Sequence, residues 1–346
     1  MSKGSDFTST NVKLRKGFYI FLKIIFSVNS AAYYVLWLKF LQIVLSPIDL
    51  LFSWIERLRS KEEIEKNIPV IFVVGIQRTG STLVSQFIEK TFDFFPIGNF
   101  NSIFKRSAFY LHRWFSKSYK TPRKSYKNFY GISKGFFSIG DCYELWDKWF
   151  GGNHYVIPEK ISEKKQDDLK NYFTSLYAAY RKPILTKNNR NSLLLPVFEE
   201  NFDNAFYVIV KRDPVAVIRS TIKASKDFFG DDRFLWGLYP SENFDTDNYE
   251  NIIEAATVQF LMLDKILNEQ IEKLQDDTYL LIDYNEFCLN PAQFQKDFIH
   301  KLKNKELFNP DQIELETEPF KISHRLKNQD IDNQIKNYLD KWQNKI

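Results

Sequence analysis

Cysteine is nearly absent from this 346-residue chain: Cys142 and Cys288 are the only two, far apart and outside any CxxC spacing. That excludes a disulfide framework and makes a reducing, cytoplasmic compartment the simpler expectation. The four histidines form no HxxxH or HxxH pair, so no zinc site is written here. There is no N-x-S/T acceptor, no internal repeat and no low-complexity tract. A formal charge of +5, spread along the chain, suits an anionic small molecule or an acidic surface and is too diffuse for nucleic acid. Long hydrophobic runs are missing too. Near the N-terminus, Lys23 and Lys39 bracket an uncharged run of only 15 residues, Ile24 to Leu38, where a spanning helix needs about 20. No small-residue cleavage site follows it. Residues 17–59 are therefore expected to form two helices broken near Ser46-Pro47, packed on the domain or lying peripherally on a membrane surface, with a true anchor as the alternative. The expected division is a helical extension over 1–66, ending in the charged linker Ser60–Asn67, and a main domain over 67–346.

Aromatics, by contrast, are abundant. With 33 Phe and 18 Tyr in a chain that is 44% hydrophobic, aromatic rings must fill much of the core and are available to line an apolar cleft. Val70–Val74 is a continuous β-branched and aromatic run, the pattern of a strand buried on both faces. Ile184–Thr186, Ala205–Val210 and Tyr279–Ile282 read as further buried strands. Between them, Val84, Phe87, Ile88 and Thr91 mark one helix by their spacing. Leu169, Phe173, Leu176 and Tyr180 mark a second, and Ile253, Ala256, Phe260 and Leu263 a third. Strands alternating with helices predict an α/β fold with a mostly parallel central sheet flanked by helices in three layers.

The sharpest signal is Gly75-Ile-Gln-Arg-Thr-Gly80-Ser-Thr82, between the first strand and its helix. A glycine turn there leaves backbone N–H groups free to surround an anion, and the helix dipole adds attraction. The spacing matches a P-loop, yet Ser81 stands where a Walker lysine belongs, which argues against ATP or GTP. A cation sits instead at Arg78. Taken without context, the two glycines could equally serve a plain strand–turn–helix connection.

The loop resembles the 5′-phosphosulfate loop of sulfotransferases that use PAPS (3′-phosphoadenosine 5′-phosphosulfate), which reads PKSGTTW or PRSGTTLL. That resemblance implies a P-loop NTPase-like fold. It also implies that Gln77, Arg78, Thr79, Gly80, Ser81 and Thr82 hold the 5′-phosphosulfate. The family reads the 3′-phosphate with an arginine at a strand end and a serine eight residues later. Here these are Arg212 and Ser220, flanking Asp213-Pro214, a plausible cap and first turn. Leu281–Pro291 is similar to the family's strand and YE-x-L-x-x-x-P element. It would bring Tyr284 near the adenine, with Asn285 replacing the usual acid. Ser323-His324-Arg325 resembles a late Ser/His element of bacterial members.

The resemblance implies sulfonyl transfer to an acceptor hydroxyl with no metal, PAP being the product. Arg78 would stabilise the leaving phosphate. The base is less defined, because Phe95–Asn99 after the loop contains no acid. Ser138–Trp149 and the preceding Tyr126–Gly131 are similar to a bacterial element in which a glycine-rich turn leads to His-Glu. Asp141 aligns with that glutamate, and Glu144 and His154 are the fallbacks. In the competing reading Asp141 only caps the helix bearing Trp146 and Trp149. A nucleotide kinase or NTPase, or a non-catalytic nucleotide-binding protein, is the alternative function. Aromatic richness and the apolar N-terminal helices favour a lipid or amphipathic alcohol over a free sugar as acceptor.

Overall fold

A computed structural model describes residues 26, 30–58, 67–119, 126, 128–129, 132–133, 135–152, 158, 160–229, 234–303, 317–321 and 328–346. Its centre is a five-stranded, all-parallel sheet of β1 (Val70–Val74), β2 (Phe95–Pro96), β5 (Ile184–Lys187), β6 (Ala205–Lys211) and β7 (Tyr279–Asp283). The order is β2-β5-β1-β6-β7, with β1 paired to β5 and β6. A separate antiparallel pair joins β3 (Asn128–Phe129) to β4 (Ile132–Ser133).

The unbroken apolar run of β1 follows from its position. Val70, Phe72 and Val74 enter one core cluster, and Ile71 and Val73 enter the other. Because side chains alternate across a strand and both faces are covered, no position of β1 can be polar. On one face Phe72 stacks on Phe198 with ring centroids 4.3 Å apart, beside the fully buried Trp146 and Trp149. On the other, Phe87 of the helix Ser81–Thr91 meets Phe287 and Phe294 edge to face. Among the expected strands, Tyr279–Ile282 departs from expectation. It forms the sheet edge, only half-buried, with Leu281 52% exposed, because β6 covers it on one side only. The two residues of β2 are too few to leave a periodic signal.

The N-terminal segment forms helices Ser30–Val44 and Ser46–Arg57, separated at the expected break. No single described helix is long and apolar enough to cross a membrane, and the pair is bent by 54°. Leu38 packs with Phe100, Ile103, Phe104 and Leu111 of the main domain. The second helix docks through its two acids. Asp49, fully buried, accepts the backbone N–H groups of Arg106 and Ser107 at 2.9–3.2 Å. Glu56 accepts those of Ala108, Phe109 and Tyr110 at 2.8–2.9 Å, satisfying the open N-terminus of the helix Tyr110–Phe115 from outside it. The linker over 60–66 lies outside the described residues.

A buried carboxyl beneath the sheet gives the fold a pH dependence. Desolvation pushes Glu89 up from 4.5 to about 7, although Lys90 lies 3.7 Å away and the Ile139 N–H donates to Oε1 at 3.0 Å. A raised carboxyl stabilises the fold fully below its unfolded value near 4.5 and loses that contribution as pH climbs through about 7. Glu89→Gln keeps an acceptor for Ile139 without the charge. It should unfold like wild type near pH 4.5 and be more stable near pH 8, by at most about 3 kcal/mol. Urea titrations across that range check this, and a gap independent of pH would contradict it.

Candidate active site

Parallel pairing delivers three strand ends to one edge of the sheet. From β1 the chain enters the loop Gly75–Gly80 and then the helix Ser81–Thr91. Gly80 is the N-cap at φ 100°, and the N–H groups of Leu83 and Val84 turn back to its carbonyl at 2.9 and 3.3 Å. A side chain could not replace its hydrogen, since a Cβ there would stand 2.2 Å from the Tyr284 ring. Arg78 also takes the left-handed region, at φ 69°, which costs an ordinary residue about 1–2 kcal/mol. Neighbours hold the loop in this form. Gly75 donates to Ser192 Oγ at 2.7 Å, and Ser81 Oγ donates to Asn189 Oδ1 at 3.3 Å.

The second wall is built by β6 and the helix Pro214–Phe229. Arg78 Nε donates to Ser220 Oγ at 2.9 Å, and Arg212 Nη1 donates to the Arg78 carbonyl at 3.1 Å. The two motifs, more than 130 residues apart in sequence, therefore touch. Arg212 lies over the Tyr284 ring at 4.5 Å, a cation–π contact. Its Nε is buried and has no partner among the described residues. Burial pushes the Tyr284 hydroxyl up to about 12, against the pull of Arg212.

Between the walls is a cleft of about 490 Å³, lined by Gln77, Arg78, Gly80, Ser81, Thr82, Asp141, Arg212, Ser220 and Tyr284, nine of the ten residues singled out from the sequence. Thr79 is the one missing from the lining. It is 2% exposed, and its hydroxyl donates to the Ile76 carbonyl at 2.8 Å, closing the loop on itself. Gln77 reaches the cleft mainly as a brace. Its Oε1 accepts the Leu238 N–H at 3.4 Å, and its side chain packs on Gly237, held at φ 104°.

Asp141 is paired with a residue the motifs did not indicate. Lys187 Nζ donates to Asp141 Oδ1 at 2.7 Å, with Lys187 2% and Asp141 8% exposed. Lys187 ends β5, so a lone lysine at the close of a buried strand was the available signal. The capping role for Asp141 does not hold. The N-cap of the helix Tyr143–Phe150 is Cys142, at φ 47° and without a side-chain cap. Glu144, a fallback, lines a different cavity of about 680 Å³ and pairs with Lys39. His154 and the Ser323–Arg325 element lie outside the described residues.

Comparison with protein families matches residues 69–303 to the sulfotransferase family, about two thirds of the chain. The chain belongs to that family. No curated protein matches it. Among solved structures, this sulfotransferase is similar to STF1 from Mycobacterium tuberculosis H37Rv, with 13% identity and a TM-score of 0.49 over 83% of this chain and 82% of that one. It is also similar to STF9 from Mycobacterium avium, with 11% identity and a TM-score of 0.48 over 80% and 69%. A third is the sulfotransferase domain from the curacin biosynthetic pathway, with 12% identity and a TM-score of 0.39 over 80% and 99%. The match begins just before β1, so the helices Ser30–Val44 and Ser46–Arg57 lie outside it.

Two glycines of this sulfotransferase separate backbone strain from packing. Gly151, at φ 81°, has nothing within 4 Å of an added Cβ, whereas at Gly80 the Tyr284 ring blocks it. Gly151→Ala should cost about 1 kcal/mol of unfolding free energy, and Gly80→Ala about 2–4 kcal/mol. Urea denaturation of both variants checks the order, and equal costs would mean Tyr284 yields freely.

Proposed function

We propose that this sulfotransferase moves a sulfonate group from PAPS to an acceptor hydroxyl, leaving PAP. The observation that carries the reading is the unpartnered, buried Arg212 Nε beside Ser220, in a cleft floored by a left-handed glycine loop. An arginine that lines a cleft and keeps a donor without a protein acceptor suits a phosphate, whose oxygens accept paired N–H bonds. Gly80, Ser81 and Thr82 at the helix N-terminus suit the 5′ end of the donor, and Tyr284 suits a base ring. Thr79 contributes by shaping the loop. PAPS, when bound, supplies an activated sulfonate on a phosphate leaving group.

The residues divide the remaining work. Arg78 and Lys187 supply positive charge where the leaving phosphate gains negative charge, and that supply makes the reading metal-independent. Asp141 accepts the acceptor's proton as its oxygen bonds to sulfur. Lys187 occupies Oδ1 of Asp141, and Oδ2 has no donor among the described residues. Phe229, Leu235, Trp236 and Tyr239 line the same cleft. Their apolar surface favours a lipid or amphipathic alcohol as acceptor. The kinase alternative lacks both its lysine and its family.

Calorimetric titration tests the donor. Arg212→Ala should weaken PAP about tenfold or more, since a charge-assisted hydrogen bond contributes about 1.5–3 kcal/mol. ADP, with no 3′-phosphate, should lose about threefold at most, through the slackened Arg78 carbonyl. Equal losses would reduce Arg212 to a brace for the loop.

A second experiment addresses the base. Asp141→Asn should lower kcat by about 10²–10⁴-fold while PAP affinity is kept. It should also melt below wild type, because Lys187 is left buried without a counter-charge, so rates are measured well under the melting range. Near-normal turnover would remove Asp141 from the chemistry.

A further inference from the structure

The N-terminal helix pair turns a second apolar surface away from the domain. On Ser30–Val44 the inward stripe is Tyr34, Leu38 and Leu41, continued by Leu45 at the break. A separate stripe on the same helix stays exposed: Trp37 at 52%, Phe40 at 52% and Ile43 at 75%. On Ser46–Arg57, Leu50, Leu51 and Trp54 are each 55–59% exposed. Ordinary soluble surfaces scatter such side chains singly. Here they recur at helical spacing on two consecutive helices.

Charge selects the occupant. From Phe7 to Ile48 the sequence has five basic residues and no acid. The next two acids, Asp49 and Glu56, are both committed inward to the 106–110 backbone. In sequence the segment thus combines tryptophan and aliphatic side chains with a basic excess, the composition of a segment lying in an anionic lipid interface. Among the described residues Arg57 is exposed and Lys39 pairs with Glu144. Helices of 15 and 12 residues are each too short to span a bilayer, which needs about 20.

We infer that the exposed face of Ser30–Arg57 docks this protein on the surface of an anionic bilayer, without crossing it. The same helix pair also borders the 680 Å³ cavity, through Ser53 and Arg57 on one side and Glu144 and Lys148 on the other. Docking would therefore hold that cavity at the lipid boundary. The inference does not depend on the donor or on the base.

Flotation of the full chain with vesicles tests it. The wild type should float with phosphatidylcholine mixed with phosphatidylglycerol and less with phosphatidylcholine alone, and added salt should weaken binding. The combined substitution Phe40→Ser, Leu51→Ser and Trp54→Ser should lower the bound fraction at least about tenfold. All three side chains are at least half exposed, so unfolding should stay near wild type. Bromine-labelled acyl chains should quench wild-type tryptophan emission, a readout independent of any variant. Absence of flotation and quenching in the wild type overturns the inference, including the case in which the face closes a concentration-dependent dimer. So does a folded variant that still floats.

Discussion

Parallel pairing of β1 between β5 and β6 is the constraint from which the rest follows. In a parallel sheet every strand ends at the same edge, so three distant segments must emerge side by side. β1 delivers the glycine loop, β5 delivers Lys187, and β6 delivers Arg212. Nothing local brings Arg78 to Ser220 or Ser81 to Asn189; the sheet does. The same burial that forces β1 to be wholly apolar also keeps this edge rigid, since Val70–Val74 has no exposed side chain to yield.

Polar groups at that edge are mutually committed. The Arg78 carbonyl is held by Arg212, its guanidinium by Ser220, and the Thr79 hydroxyl by the loop itself. A left-handed arginine persists only where its surroundings outweigh the backbone cost, and such positions concentrate at functional sites. The Asp141–Lys187 pair follows the same logic. Two charges are removed from water together, and each is tolerable because of the other. What stays uncommitted is instructive: Arg212 lines the cleft, and its buried Nε has no acceptor among the described residues.

The N-terminal helices use their charges differently. Asp49 and Glu56 serve the backbone of 106–110 in place of solvent, so the helix pair is fastened by hydrogen bonds as well as by Leu38 and Phe52. On Ser46–Arg57, fastening both acids inward leaves Leu50, Leu51 and Trp54 outside, the reverse of an ordinary surface helix.

Much of this was legible in the residues alone. The apolar runs over 70–74, 184–186 and 205–210 and the helix spacings between them determined the α/β class, and the loop Gly75–Thr82 with Ser81 in place of a lysine marked the candidate site. Local chemistry dictates each of them, because burial on two faces, helical periodicity and a glycine turn are properties of neighbouring residues. Pairings across long sequence separations were not legible. Sequence could nominate Asp141 but not its partner, since Lys187 meets it only when β5 lies beside the 138–142 segment. It could nominate Thr79 but not turn its hydroxyl away from the cleft, a matter of one side-chain torsion. It read Tyr279–Ile282 as buried because composition reports apolarity, whereas the edge position that exposes Leu281 is decided by which strands pair.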